Sequence, residues 1–197
     1  MSRVTTPRNI TPEIQELCCS ISEDEPIFVP VVAVPGSIIN ECFENVDTYI
    51  KEHGGQRVLG RSIWQRANVL IEAEAHAVWK SPAGHLVDVT PHANEVSAIL
   101  FLADPKMTYE DNLIPNIRKA LTSSPLVAEF IVLYNERDHI AAETPGNAYS
   151  LTADMFRRMI EIEQAFNQRV GRNDPCPCQS VSNTKNVAAD AKLKSGL

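Results

Sequence analysis

Apolar residues change period twice along this chain, and each change marks a change of element. "TPEIQELCCSI" spaces Ile14, Leu17 and Ile21 for a first amphipathic helix, with Thr11 as N-cap and Pro12 at the first helical position. "PIFVPVVAV" is apolar and β-rich, and Pro30 within it predicts an edge or a bend. "SIINECFENVDTYIKEHGG" reads as a second helix. Ile39, Phe43, Val46 and Ile50 form its apolar stripe, and Gly54 stands where a left-handed cap belongs. The period then falls to two. "RVLGRSIW", "NVLIEAEAHAVW", "GHLVDVT" and "VSAILFL" are strand-like runs separated by turn residues such as "KSPAG". From residue 108 the pattern becomes helical again. Ser124-Pro125 forms a cap and first turn ahead of Leu126, Phe130 and Leu133, and a last helix from about Thr152 aligns Met155, Met159, Ile162 and Phe166. Strands segregated from helices in this order predict an α+β fold, an antiparallel meander packed against helices. The folded domain is expected over residues 1–170, with a tail without fixed structure over 171–197.

Composition adds limits. The chain has 197 residues and a net charge of −7, and the tail contributes four basic residues against two acidic ones, so the body is more acidic than the whole. An acidic body argues against a nucleic-acid groove. No apolar run is long enough to span a membrane, and the N-terminus lacks the apolar stretch of a secretion signal. The five cysteines are odd in number and unevenly spread, which predicts a reducing, cytoplasmic setting. Cys18 and Cys19, side by side on the first helix, read as core filling.

The candidate chemistry lies on the strands. Alternation puts Glu72, Glu74, His76 and Val78 on one face, and Leu86, Asp88 and Thr90 share a face on the next run. A tight turn over Ser81–Ala83 that pairs Lys80 with Gly84 would pair His76 with Asp88 directly. An aspartate there fixes an imidazole tautomer and stabilises the imidazolium. Cys42 falls near the start of the second helix, where the free N–H groups and the dipole favour a thiolate and can receive an oxyanion. Asn40 and Gln65 are candidate side-chain donors to the same oxyanion. A different use of these strands, a metal on Glu72, Glu74 and His76 with His85 and His92 nearby, lacks a recognised ligand spacing.

A cysteine at a helix start, then "HAVW" on one strand and "DVTP" on the next, resembles the transglutaminase-like branch of the papain-like superfamily. The similarity covers about residues 35–105, and the usual tryptophan does not follow Cys42. The resemblance implies Cys42 as nucleophile, His76 as general base and then acid, and Asp88 as orienter. It also implies hydrolysis or acyl transfer at an amide, isopeptide or thioester, with no cofactor in the main domain. The competing class is a non-enzymatic binding or adaptor protein that uses the same fold as a scaffold. In the tail, "GRNDPCPCQS" resembles the opening of the SEC-C motif, the zinc-binding tail type found at the end of the SecA translocase. Cys176 and Cys178 would be two zinc ligands, but no cysteine or histidine follows to complete four. The expectation is a degenerate knuckle that holds no zinc by itself. In the family, intact tails dock partner proteins.

Overall fold

The computed structural model describes residues 4–93, 96–144 and 149–167. Cys176, Cys178 and the tail expected over 171–197 lie outside the described residues. In chain order the elements are β1 (Val4–Thr5), α1 (Pro12–Ile21), β2 (Ile27–Pro30), α2 (Cys42–His53), β3 (Gln56–Arg66), β4 (Leu70–Lys80), β5 (Leu86–Val87), β6 (Ala98–Ala103), β7 (Ile117–Ala120), α3 (Pro125–Glu143) and α4 (Ala153–Asn167). The strands form one seven-stranded sheet whose strand pairs are antiparallel, so the α+β expectation holds. None of the described helices is long and apolar enough to cross a membrane.

The centre of the sheet is the long β3–β4 hairpin, paired from Gln56↔Lys80 to Arg66↔Leu70. Asn68 turns it at a positive φ of 59°, a conformation asparagine tolerates. The main strand order is β2-β6-β3-β4-β5. Its two ends then meet. Asp88, just past β5, bridges in parallel to Val31, just past β2. The Asp88 N–H donates to Pro30 O at 2.9 Å and the Val32 N–H donates to Asp88 O at 2.8 Å. The sheet is thereby curled until its edges touch.

Alternation gives this curled sheet two faces. Val29, Trp64, Val78, Ile99 and Phe101 cluster on one. On the other, α1 covers Ile63, Ile71, Ala73, Leu100 and Leu102, and α2 sets Val46 against Ala77 and Val89. Residues of α3 and α4 close over Val69 and Leu70. Gly60 is needed where β6 crosses: a Cβ there would collide with the Leu102 carbonyl oxygen and come within 2.6 Å of the Phe101 ring.

Locally determined features came out as the pattern predicted. The Thr11 hydroxyl accepts from the Ile14 N–H at the start of α1. Pro125 opens α3 after Ser124, and Met155, Met159, Ile162 and Phe166 are the buried residues of α4. Other expectations need correction. α2 begins at Cys42, five residues after Ser37, where the segment read as helical begins. Asn40 has a positive φ of 68°, and the Asn45 side chain, rather than a helical ladder, bonds both the N–H and the carbonyl of Ile38. Ile39 is consequently exposed. The stretch read as helical from residue 108 contains β7, which pairs with the first residues of β4 and sets Arg118 opposite Glu72. Cys18 is buried as expected, whereas Cys19 is exposed.

Candidate functional site

The β4–β5 register differs from the expected one by two residues. Lys80 pairs with Leu86, not Gly84, because the turn over Ser81–Gly84 is closed by Ser81 N–H to His85 O at 2.8 Å. A shift of two keeps every side chain on its face. His76 and Asp88 therefore still share a side, meeting diagonally instead of directly, a separation that histidine and aspartate side chains can span. His76 Nε2 lies 3.1 Å from Asp88 Oδ2. The contact falls short of hydrogen-bond alignment.

Cys42, the first residue of α2, is 5% exposed. Its approach to the His76 ring is registered in the histidine itself. Burial pushes the His76 pKa down, but Asp88 and the Cys42 sulfur outweigh it and hold the imidazole well above its ordinary value. Asp88 is itself fully buried. Desolvation would raise its pKa, yet His76, His92 and the Thr90 N–H together hold it far below the usual carboxylate range. Of the residues singled out from the sequence, His76 and Asp88 are in contact, and Cys42 lines the same cavity wall as His76 and acts on its imidazole.

A cavity of about 560 Å³ opens beside this group, lined by Cys42, His76, His92, Thr90, Glu74 and Tyr109 among others. That volume is within the range of small-molecule and peptide side-chain sites. Asp88 does not line it, and neither does Gln65, whereas Asn40 does. Glu41, at the N-cap position of α2, makes no side-chain cap, so its carboxylate leaves the first-turn N–H groups free of that competition. Asn45 ties this turn to the Asp88 loop, donating to the Ile38 carbonyl at 2.7 Å and to the Thr90 hydroxyl at 3.3 Å. Across the cavity mouth, Tyr109 stacks on Phe43 and donates to Glu44 at 3.0 Å.

Several members of the site have roles that the sequence did not disclose. His92 Nε2 bonds Asp88 Oδ2 at 2.6 Å, while the Thr90 N–H donates to Oδ1 at 2.9 Å. The signal was present as "DVTPH": an aspartate two residues before a backbone donor makes a local turn, and Pro91 fixes the path to His92. Glu74, on the His76 face, accepts from Trp64 Nε1 at 2.6 Å, and its burial raises its pKa. Glu72 belongs elsewhere, paired with Arg118, and His85 is exposed on the turn. The alternative metal set weighed from the sequence, Glu72, Glu74 and His76, is therefore not the cluster that forms. Among the described residues, the side chains that come within metal-binding reach of one another are those of His76, Asp88 and His92, whose ligand atoms lie within 4.8 Å. Imidazole and carboxylate donors of this kind suit zinc.

No protein-family model matches the chain, and neither the curated proteins nor the solved structures give a match.

Proposed function

We propose that this protein is a thiol-dependent acyl-transfer enzyme or hydrolase, built on a papain-like or transglutaminase-like fold. The observation that supports the reading is the contact of His76 with the buried Asp88, at the wall of a cavity that Cys42 also lines. On this reading the Cys42 thiol gives its proton to His76, and the sulfur attacks the carbonyl carbon of an amide, isopeptide or thioester. The oxyanion is received by N–H groups of the first turn of α2, where the helix dipole also favours negative charge. His76 returns the proton to the departing amine or thiol, leaving an acyl group on sulfur. Water or an amine then attacks that acyl carbon, His76 takes the incoming proton, and Cys42 is released. Asp88 orients the ring and stabilises the imidazolium throughout.

Alkylation with iodoacetamide at about pH 6.5, well below the titration of an ordinary thiol, tests the reading directly. Cys42 should react at least about tenfold faster than the exposed Cys19, and His76→Ala should remove the difference. Equal rates at the two cysteines, or a rate at Cys42 indifferent to His76, would sink the proposal.

The slight exposure of Cys42 favours a second reading, a binding scaffold whose cysteine fills a small apolar space between α2, Ala77 and Val89. It predicts no burst of product from activated thioesters, in contrast to an enzyme that accumulates an acyl-sulfur intermediate.

A further inference from the structure

Two imidazoles converge on one carboxylate oxygen, and they do so unequally. His92 Nε2 makes an aligned bond to Asp88 Oδ2 at 2.6 Å, whereas His76 Nε2 meets the same oxygen at 3.1 Å without alignment. With the Thr90 N–H on Oδ1, the carboxylate is fixed at one oxygen by the backbone and at the other by His92. His76 is therefore not what sets the orientation of Asp88. His92 is itself held by its surroundings: the Trp64 ring meets it edge-on with centroids 5.4 Å apart, and the Trp64 indole is clamped to Glu74. The His76 and His92 rings are tilted and 5.7 Å apart, so the shared carboxylate is the connection between them.

We propose that His92 is a positioning residue that aims the Asp88 carboxylate at His76, and through it sets the reactivity of Cys42. The proposal deepens the thiol reading above and rests on it. His92 acts by fixing a neighbour, through its bond to Asp88 Oδ2. The rival assignment for the same atoms is a metal site. Hydrogen bonding accounts for the arrangement without a metal, since both carboxylate oxygens already face donors at 2.6 and 2.9 Å. Zinc would require the His92 N–H to be lost from that bond.

The test compares alkylation of Cys42 in the full chain, resolved by peptide mass spectrometry, in chelator-containing buffer at about pH 6.5. His92→Ala should slow the reaction about tenfold, the size expected on losing one hydrogen bond to a charged group. His92→Gln, whose side-chain amide can replace the Nε2 donor, should restore the rate to within about twofold, and the shorter His92→Asn should not. If the alanine variant loses its native near-UV circular dichroism, the glutamine and asparagine variants carry the same comparison. A wild-type rate in both His92→Ala and His92→Asn overturns the proposal, and so does a glutamine variant as slow as the asparagine one. A stoichiometric zinc that His92→Ala abolishes, with Cys42 reactivity indifferent to His92 once the metal is chelated, makes His92 a ligand and overturns it as well. His76→Ala separates the two levels. Loss of its effect sinks the thiol reading, while loss of the His92 effect alone sinks only the positioning role.

Discussion

Asp88 has no exposed surface, yet it is held as a carboxylate by hydrogen bonds from the Thr90 N–H and His92 and by the nearby His76 imidazole. Deleting a buried charge's partners, or the charge itself, is among the costlier changes a protein can suffer. Asp88→Ala should lower stability by about 3–5 kcal/mol in denaturant titration, since it leaves two imidazoles and the Thr90 N–H facing an apolar gap. The pH dependence follows from the two shifts. The folded-state pKa of Asp88 is depressed, so its contribution is present above the unfolded value of about 4 and is lost as pH falls toward the folded one. The folded-state pKa of His76 is raised, so its contribution is complete below about 6.5 and is lost as pH rises through the elevated value. The stability advantage of wild type over Asp88→Asn should therefore shrink on both flanks of a pH series. An advantage constant from acid to alkaline pH would show that the pair contributes nothing through charge. At this scale the sequence disclosed the residue types and that His76 and Asp88 share a side, but not their register. His92 was read only as a neighbour of a possible metal set, and its bond to Asp88 was not foreseen because it depends on where the 88–92 turn lands, not on periodicity.

At the scale of elements, the start of α2 decides whether Cys42 meets the site. A helix beginning at Ser37 would put Cys42 in its second turn, where the N–H groups are already committed to the ladder. Asn45 prevents this by capturing both polar groups of Ile38 and reaching Thr90 as well. Asn45→Ala should cost about 1–3 kcal/mol, the range for stranding buried backbone groups, and should slow Cys42 alkylation by freeing the turn from the Asp88 loop. A thermal melt and the alkylation rate check the two effects separately; an unchanged rate would mean that the helix start is fixed by other contacts. α1, α3 and α4 were legible because their caps and apolar stripes are local features. β7 was not, because "IRKA" becomes a strand only by pairing with β4.

For the molecule as a whole, the decisive event is the meeting of the sheet's edges. The bridge between Val31 and Asp88 carries Asp88 to the His76 side of the sheet, and it is made of backbone hydrogen bonds. Val32 is exposed, so Val32→Pro changes little besides the N–H that donates to Asp88 O. That substitution should destabilise the protein by about 1–3 kcal/mol and reduce Cys42 reactivity while α2 stays formed. Far-UV circular dichroism with a melt reads the first outcome and alkylation the second. Wild-type reactivity in a destabilised variant would show that Asp88 keeps its place without the closure.

The sequence by itself determined the class of fold, the faces of its central strands and of α1 and α4, and the shared side of His76 and Asp88. Those follow from local propensity and from periodicities of 3.6 and 2, which need no knowledge of the rest of the chain. Only the tertiary structure decided the register of Asp88, the true start of α2, the strand at 117–120 and the place of His92. Each depends on which distant backbone supplies a hydrogen bond, and strand pairing leaves that choice to contacts between segments far apart in the chain.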